Sequence, residues 1–355
     1  MVKPVSGMPR RSALATGAGG IVAALVPSTL LAEADLTFFR IATGGTAGTF
    51  YPVGALLATV ISGPPGVPDC EEDGGSCVPG LLATALSSEG AVENIGSVVS
   101  GDVESGFSQS DVVYWAYTGT GIFAGSEPRQ QLRLIGSLYP EVIHIVIRRD
   151  AGIASVPDLA GKRISLDVEG SGTLVAARII LESYGLGDAD LDVRYIKHGP
   201  AVSMMRAGEL DGLFVIAGYP ANSVFDLVEE GIADLLPIPA EHALGLLVDH
   251  PFFSLSVVPE GSYPGLSHVT TLAIGVQWIV TQAAPDDLVY RVTRALWHPN
   301  NGEQLASGLP AARQMKLSNA LLGAAVPLHP GAAAYYTEAG LDLSDVPVAD
   351  FIPDQ

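Results

Sequence analysis

The stretch Ile41-Ala42-Thr43-Gly44-Gly45-Thr46-Ala47-Gly48-Thr49-Phe50-Tyr51-Pro52 decides how this chain folds. An apolar run over 36–41 precedes it and reads as a strand. After it, Val53, Leu56, Leu57, Val60 and Ile61 recur at helical spacing, which predicts a helix over 50–61. A strand thus passes through glycines and small hydroxyl residues directly into a helix. Glycine lets backbone N–H groups approach a ligand closely, and a helix start carries unpaired donors and partial positive charge. The turn is a candidate seat for an anion such as a carboxylate. It is not a dinucleotide fingerprint, because the spacing is not G-x-G-x-x-G. A strand–helix turn without any ligand has the same composition, so the other turns must be weighed with it.

Working outward, the alternation continues. Strands are predicted at 80–86, 103–108, 132–138 and 142–148, with helices at 90–100 and 110–117. A second alternation follows: strand 163–167, helix 172–184, strand 192–197, helix 200–208, strand 211–217, helix 220–230, strand 234–238. That order belongs to a parallel sheet covered on both faces. A strand at 270–281 and helices at 285–297, 302–307 and 310–317 close the chain. Two open α/β sheets, the second inserted into the first, fit this order. Ligands of such sheets sit beyond the carboxyl ends of the strands.

Those strand ends carry a consistent set of residues: Thr43 to Thr49, Gln109-Ser110-Asp111, Tyr139-Pro140-Glu141, Gly170-Ser171-Gly172-Thr173, Lys197-His198 and Ala217-Gly218-Tyr219. Two are glycine/hydroxyl turns that open helices, and across a cleft they could hold one or two carboxylates. Tyr114, Trp115 and Tyr117 are expected either to wall that cleft or to pack the core. Lys197 reads as a carboxylate partner or a solvated lysine, Asp111 as a helix cap, and His329 as structural.

The chain has 355 residues, 18 Lys+Arg against 38 Asp+Glu, and a formal charge of −20. Such acidity, with no basic patch, argues against nucleic acid and anionic membrane partners. Lys3, Arg10 and Arg11 precede a mildly apolar stretch, and Ala32-Glu33-Ala34 fits a cleavage site. Residues 1–34 therefore read as a secretory signal of the twin-arginine type, with a general secretory signal as the alternative. Removing them leaves about −22. No later apolar run is long enough to span a bilayer, so no direct membrane insertion is expected. In an exported chain, Cys70 and Cys77 around Gly74-Gly75 predict one local disulfide.

Enzymatic signatures are absent from the sequence: no G-x-S-x-G, no H-E-x-x-H and no phosphate loop. The seven histidines are scattered without metal-ligand spacing. No cofactor and no metal are expected, although Glu141 or Glu169 could carry an ion.

Taken in order, Ile41 to Gly54, Phe107 to Asp111, Tyr139-Pro140-Glu141, Asp158-Leu159-Ala160-Gly161-Lys162-Arg163, Gly170 to Thr173, Asp211 to Pro220, and Pro327 to Gly331 with Tyr335-Tyr336 resemble the TAXI family of solute-binding proteins, which serve TRAP transporters. Phe50 stands where many members have Tyr, and the loop 63–79 belongs to part of the family only. The resemblance implies a two-lobed periplasmic-binding-protein fold of type II, each lobe an α/β sandwich around a mostly parallel sheet. One lobe would comprise 35–147 and 255–345, the inserted lobe 148–254, with 346–355 as a tail. It further implies a periplasmic protein whose lobes close on a small carboxylate, glutamate- or 2-oxoglutarate-like or a C4–C5 dicarboxylate. Its partners would be TRAP transporter membrane subunits. The site would be lined by Thr43, Gly44, Gly45, Thr46, Gly48, Thr49 and Tyr51, by Gln109, Ser110 and Tyr139, and by Gly170, Ser171, Gly172 and Thr173 with Ala217, Gly218 and Tyr219. A sensory protein that docks on a receptor kinase, or an exported hydrolase, are the alternative readings.

Overall fold

The computed structural model describes residues 36–64, 70 and 74–348. The expected signal at 1–34 and most of the expected tail lie outside these residues. The first strand, β1 (Thr37–Ala42), enters α1 (Phe50–Ile61) through the glycine turn. Phe39 and Ile41 of β1 meet Val53, Leu57, Val60 and Ile61 of α1 in one core. That is the alternation of a strand facing the apolar stripe of a helix.

A short pair, β2 (Ser62–Gly63) and β3 (Val78–Pro79), flanks the loop in which Cys70 and Cys77 form a disulfide. Then come β4 (Leu81–Leu86), α2 (Ala91–Ser100), β5 (Ser105–Gln109) and α3 (Ser110–Thr118). The long strand β6 (Leu132–Arg148) leads to β7 (Arg163–Ser165), α4 (Gly172–Ser183), β8 (Asp192–Arg194), α5 (His198–Arg206) and β9 (Gly212–Ala217). Next are α6 (Asn222–Glu229), β10 (Ala233–Leu236), α7 (Ala240–Asp249), β11 (Phe253–Val258) and a second long strand, β12 (Val269–Thr281). The chain closes with α8 (Asp286–Leu296), α9 (Pro299–Gly308) and α10 (Pro330–Glu338).

The main sheet runs β4-β1-β5-β12-β6-β9-β7-β8, with β10 on β6 and β11 on β12. Each lobe contributes three parallel strands, β4-β1-β5 in one and β8-β7-β9 in the other. The antiparallel pair β6 and β12 runs through both. The interior divides accordingly. One cluster holds Phe39 to Tyr139 and Val276 to Tyr336. Two others cover the faces of the second half-sheet: Phe214 and Ile216 of β9 point into one, Leu213, Val215 and Ala217 into the other. A strand buried on both faces reads as a continuous apolar run for this reason. Because β6 and β12 serve both lobes, the limits 147/148 and 254/255 stand as our proposal for where the chain changes lobe.

Several elements differ from the sequence reading. Strands 132–138 and 142–148 are one strand, because Tyr139-Pro140-Glu141 continues the ladder opposite Ile274, Gly275 and Val276. The proline has no N–H to donate, and a register shift follows between Val276 and Gln277. Strand β10 lies antiparallel on β6 and does not extend the parallel sheet. The expected helix 310–317 is two short 3-10 turns, Ala312–Gln314 and Leu317–Asn319. Helices α7 and α10 were not expected. Proline stands at the first position of α10, where its fixed φ favours starting a helix. His329 caps that helix, its Nδ1 accepting from Gly331 N–H at 3.2 Å. Asp111 caps nothing from outside: it lies within the first turn of α3 and accepts from Val112 N–H at 2.7 Å.

Candidate functional site

Five helices begin at one cavity among the described residues: α1, α2, α3, α4 and α5. The cavity measures about 150 Å³. Its walls are the turns that precede these helices, at 44–49, 88–90, 109, 171 and 197. Each helix start leaves backbone N–H groups without intrahelical partners. Ser171 Oγ satisfies one at α4 by accepting from Leu174 N–H at 3.1 Å. No cap side chain does so at α1, α2, α3 or α5. At α2 the lobes themselves supply the acceptor: Val92 and Glu93 N–H donate to Gly170 O at 3.0 and 3.1 Å. At α3 the Asp111 carboxylate takes the Val112 N–H, so α1 and α5 are the starts that no side chain caps.

Contacts across the lobes hold this arrangement closed. Gly218 N–H donates to Thr49 Oγ1 at 3.0 Å. Gly172 lies so close to the Gln109 amide that a Cβ there would collide with it. Gly90, at φ +127°, packs beside Ser171 and needs the freedom that only glycine has. Lys197 Nζ pairs with Glu89 Oε1 at 2.7 Å, with both side chains about 40% exposed. An ion pair that open to water contributes about 0–1 kcal/mol.

The titratable groups are set by burial. Glu141 is 1% exposed, and its Oε1 has no partner. Burial holds its carboxyl well above the usual range, although the Thr49 hydroxyl opposes this. Burial thus favours the protonated form, which can donate a hydrogen bond, over the anion. Burial pushes Asp167 to about 6, against the Val168 N–H that it accepts at 2.9 Å. Glu89 adds to this rise, and Lys197 opposes it. Burial brings His198 down to about 4, so the ring is neutral. Its Nε2 lies 2.6 Å from Ser223 Oγ, while Nδ1 has no partner. A serine–histidine pair without a group to orient the histidine lacks the third member of a hydrolytic triad. Among the described residues, no cluster of three or more His, Cys, Asp or Glu could hold a metal ion.

The structure distributes the sequence-predicted residues unevenly. Gly44, Gly45, Thr46, Gly48 and Thr49 line the cavity, as do Gln109, Ser171, Gly172 and Thr173. Thr43 stands behind it, donating from Oγ1 to Leu86 O at 2.7 Å and tying the ends of β1 and β4 together. Tyr51 lies in α1 away from the lining. Gly170 and Gly218 act as parts of the closure and are not wall residues, and Ala217 and Tyr219 are also outside the lining. Ser110 and Tyr139 line a second cavity, together with Tyr114 and Tyr117.

Sequence reasoning passed over Ser88-Glu89-Gly90, Asp167 and Gly199-Pro200, all of which line the first cavity. Gly90 and Gly199 each stand at the start of a helix, the same signal that marked Gly44 and Gly172. Asp167 had no such signal: it turns into the cavity with φ at +72°, which only the folded backbone reveals.

Among solved structures, the alkanesulfonate-binding protein SsuA from Xanthomonas axonopodis pv. citri bound to MOPS is 18% identical, with 78% of this chain and 81% of that chain covered and a TM-score of 0.41. The periplasmic aliphatic sulphonate-binding protein SsuA from Escherichia coli is 14% identical over 84% and 82%, with a TM-score of 0.41. Holo ArgBP from T. maritima is 12% identical over 74% and 92%, with a TM-score of 0.40. Likeness at this level assigns no ligand. The family profile reaches further: it matches residues 41–340, from the last residues of β1 to just past α10, and the chain belongs to the NMT1-like family.

Proposed function

We propose that this chain is an extracytoplasmic solute-binding protein that closes on a small carboxylate and delivers it to a TRAP transporter permease. The observation that carries the reading is the convergence of the starts of α1 and α5, which no side chain caps, on one cavity beside the starts of α2, α3 and α4. Helix starts of this kind favour an anion. Among the described residues, no arginine lines the cavity, so backbone donors replace the usual guanidinium fork. Burial favours the protonated form of Glu141, which can add a side-chain donor.

Size narrows the class. A cavity of about 150 Å³ is the volume that accepts a molecule as small as benzene. A glutamate- or 2-oxoglutarate-like acid, or a C4–C5 dicarboxylate, is within reach of it. An oligosaccharide or a peptide is not. Each charge-assisted hydrogen bond contributes roughly 1.5–3 kcal/mol, so a few support micromolar affinity after the cost of closure. Among the described residues, no helix is long and apolar enough to cross a membrane, which suits a receptor that docks on its permease.

The test is calorimetry on refolded, ligand-free protein titrated with glutamate, 2-oxoglutarate, succinate and glutarate, with ethanesulfonate and glucose as controls. Saturable binding of one acid class supports the reading. Binding of glucose or ethanesulfonate alone overturns the carboxylate assignment. TRAP dependence is checked by uptake of the bound acid into vesicles carrying a TRAP permease, with and without this protein.

A further inference from the structure

A second cavity, of about 690 Å³, is larger than the first. The two share no lining residue, but consecutive residues line the one and the other, Gln109 beside Ser110 and Glu141 beside Pro140. The second is walled by α3, by the crossing segment 137–140 with Gly275, by 251–254 ahead of and within β11, and by 322–325. We propose that it is a second binding site, for an uncharged, flat, mainly apolar molecule with a hydrogen-bonding edge, such as an aromatic alcohol.

Three observations converge on that class. The first is size: binding cavities for small organic molecules span about 300–1,000 Å³, and this one lies inside that range.

The second is charge. Among the described residues, the lining contains no Asp, Glu, Lys, Arg or His, in a chain whose formal charge is −20. An ion entering it would lose its hydration and find no counter-charge. A neutral molecule has no such penalty.

The third is the wall itself. Tyr114 and Phe252 set their rings 5.0 Å apart, and Trp115 backs Phe252 edge-on at 6.0 Å. This panel offers stacking surface to a ring. The polar groups of the wall are neutral hydroxyls and amides. Ser137 is 7% exposed, lines the cavity, and leaves its Oγ without a partner. Gln314 and Asn319 add amides. A largely apolar wall with a small number of polar groups is how a pocket orients a neutral ligand. An unpaired buried hydroxyl is costly unless a ligand or water completes it.

The experiment uses the full chain, with benzyl alcohol and indole as probes and benzoate as the charged counterpart of the first. Saturation-transfer NMR gives affinities, and circular dichroism confirms folding. Saturable binding of at least one neutral probe is expected, and any benzoate binding that Ala324→Phe weakens should be at least tenfold weaker than that of benzyl alcohol. Ala324→Phe, which adds a ring at the wall, and Tyr114→Ala, which removes one, should each weaken binding at least fivefold. If Tyr114→Ala does not fold, Ala324→Phe on the turn decides. The proposal is overturned if neither neutral probe saturates, if benzoate binding that Ala324→Phe weakens is as tight as that of benzyl alcohol, or if the folded variants bind like the parent chain.

Discussion

The two neighbouring cavities are built from opposite materials. One is small and lined by turns, and backbone N–H groups at helix starts supply its polarity. The other is larger, lined by aromatic and neutral side chains, and without an ionisable acid or base among the described residues. Adjacent residues separate them: Gln109 belongs to one and Ser110 to the other. A strand that ends at Gln109 and a helix that begins at Ser110 leave no loop between. The lesson is that a helix start can polarise the space beyond its end while its flank walls an apolar one.

The sharpest way to break this comparison is to hold the lobes apart. Gly172→Val places branched carbon against Gln109. Overpacking of this kind costs about 1–3 kcal/mol. Carboxylate affinity measured by calorimetry should fall by tenfold or more, while binding of neutral probes in the other cavity persists. An unchanged carboxylate affinity would mean that the closed contact plays no part in binding.

The wall between the cavities can be tested by pH. Burial raises Asp111 to about 7 from its ordinary 3.8, and its Oδ2 has no partner. A carboxyl whose folded value lies above its unfolded one stabilises the fold fully below the unfolded value. That contribution is lost as pH rises toward 7. Asp111→Asn should therefore raise stability by about 3–4 kcal/mol at pH 8 and by about 1–2 kcal/mol at pH 5, read from urea midpoints. A gain of equal size at both pH values would show that charge is not the cause.

A smaller effect comes from Gln109→Ala. It removes a buried amide from the first cavity only, and about 1 kcal/mol of carboxylate binding with it. The same variant should leave the melting temperature of the ligand-free protein within about a degree. Lys197→Ala is the mildest change. Its ion pair with Glu89 is largely solvated, so the loss should stay below about 1 kcal/mol and shrink further in high salt. A loss larger than that of Gln109→Ala would mean that Lys197 touches the ligand.

Much of this was legible in the chain. The alternation of apolar runs and helical patterns located β1, α1, α4 and β9 to within a residue or two, because period and burial coincide there. Glycine turns before helices marked 44–49 and 171–173 as walls. The same rule applied to Gly90 and Gly199 would have found two more. Tyr139 and the aromatics of α3 were less legible. Their composition suits either cavity, and only the path of β6 past β12 puts them beside Phe252.

By itself the sequence determined the α/β order, the acidic charge, the spacing of the two cysteines and the presence of helix-opening glycine turns, since each is a local property. Tertiary structure decided which turns share a cavity, that Gly170 O would meet the start of α2, and that burial would raise the Glu141 carboxyl above its usual range. Those outcomes depend on segments far apart in the chain coming within hydrogen-bonding distance and excluding water. Desolvation acts on a residue only after the long-range contacts around it have formed.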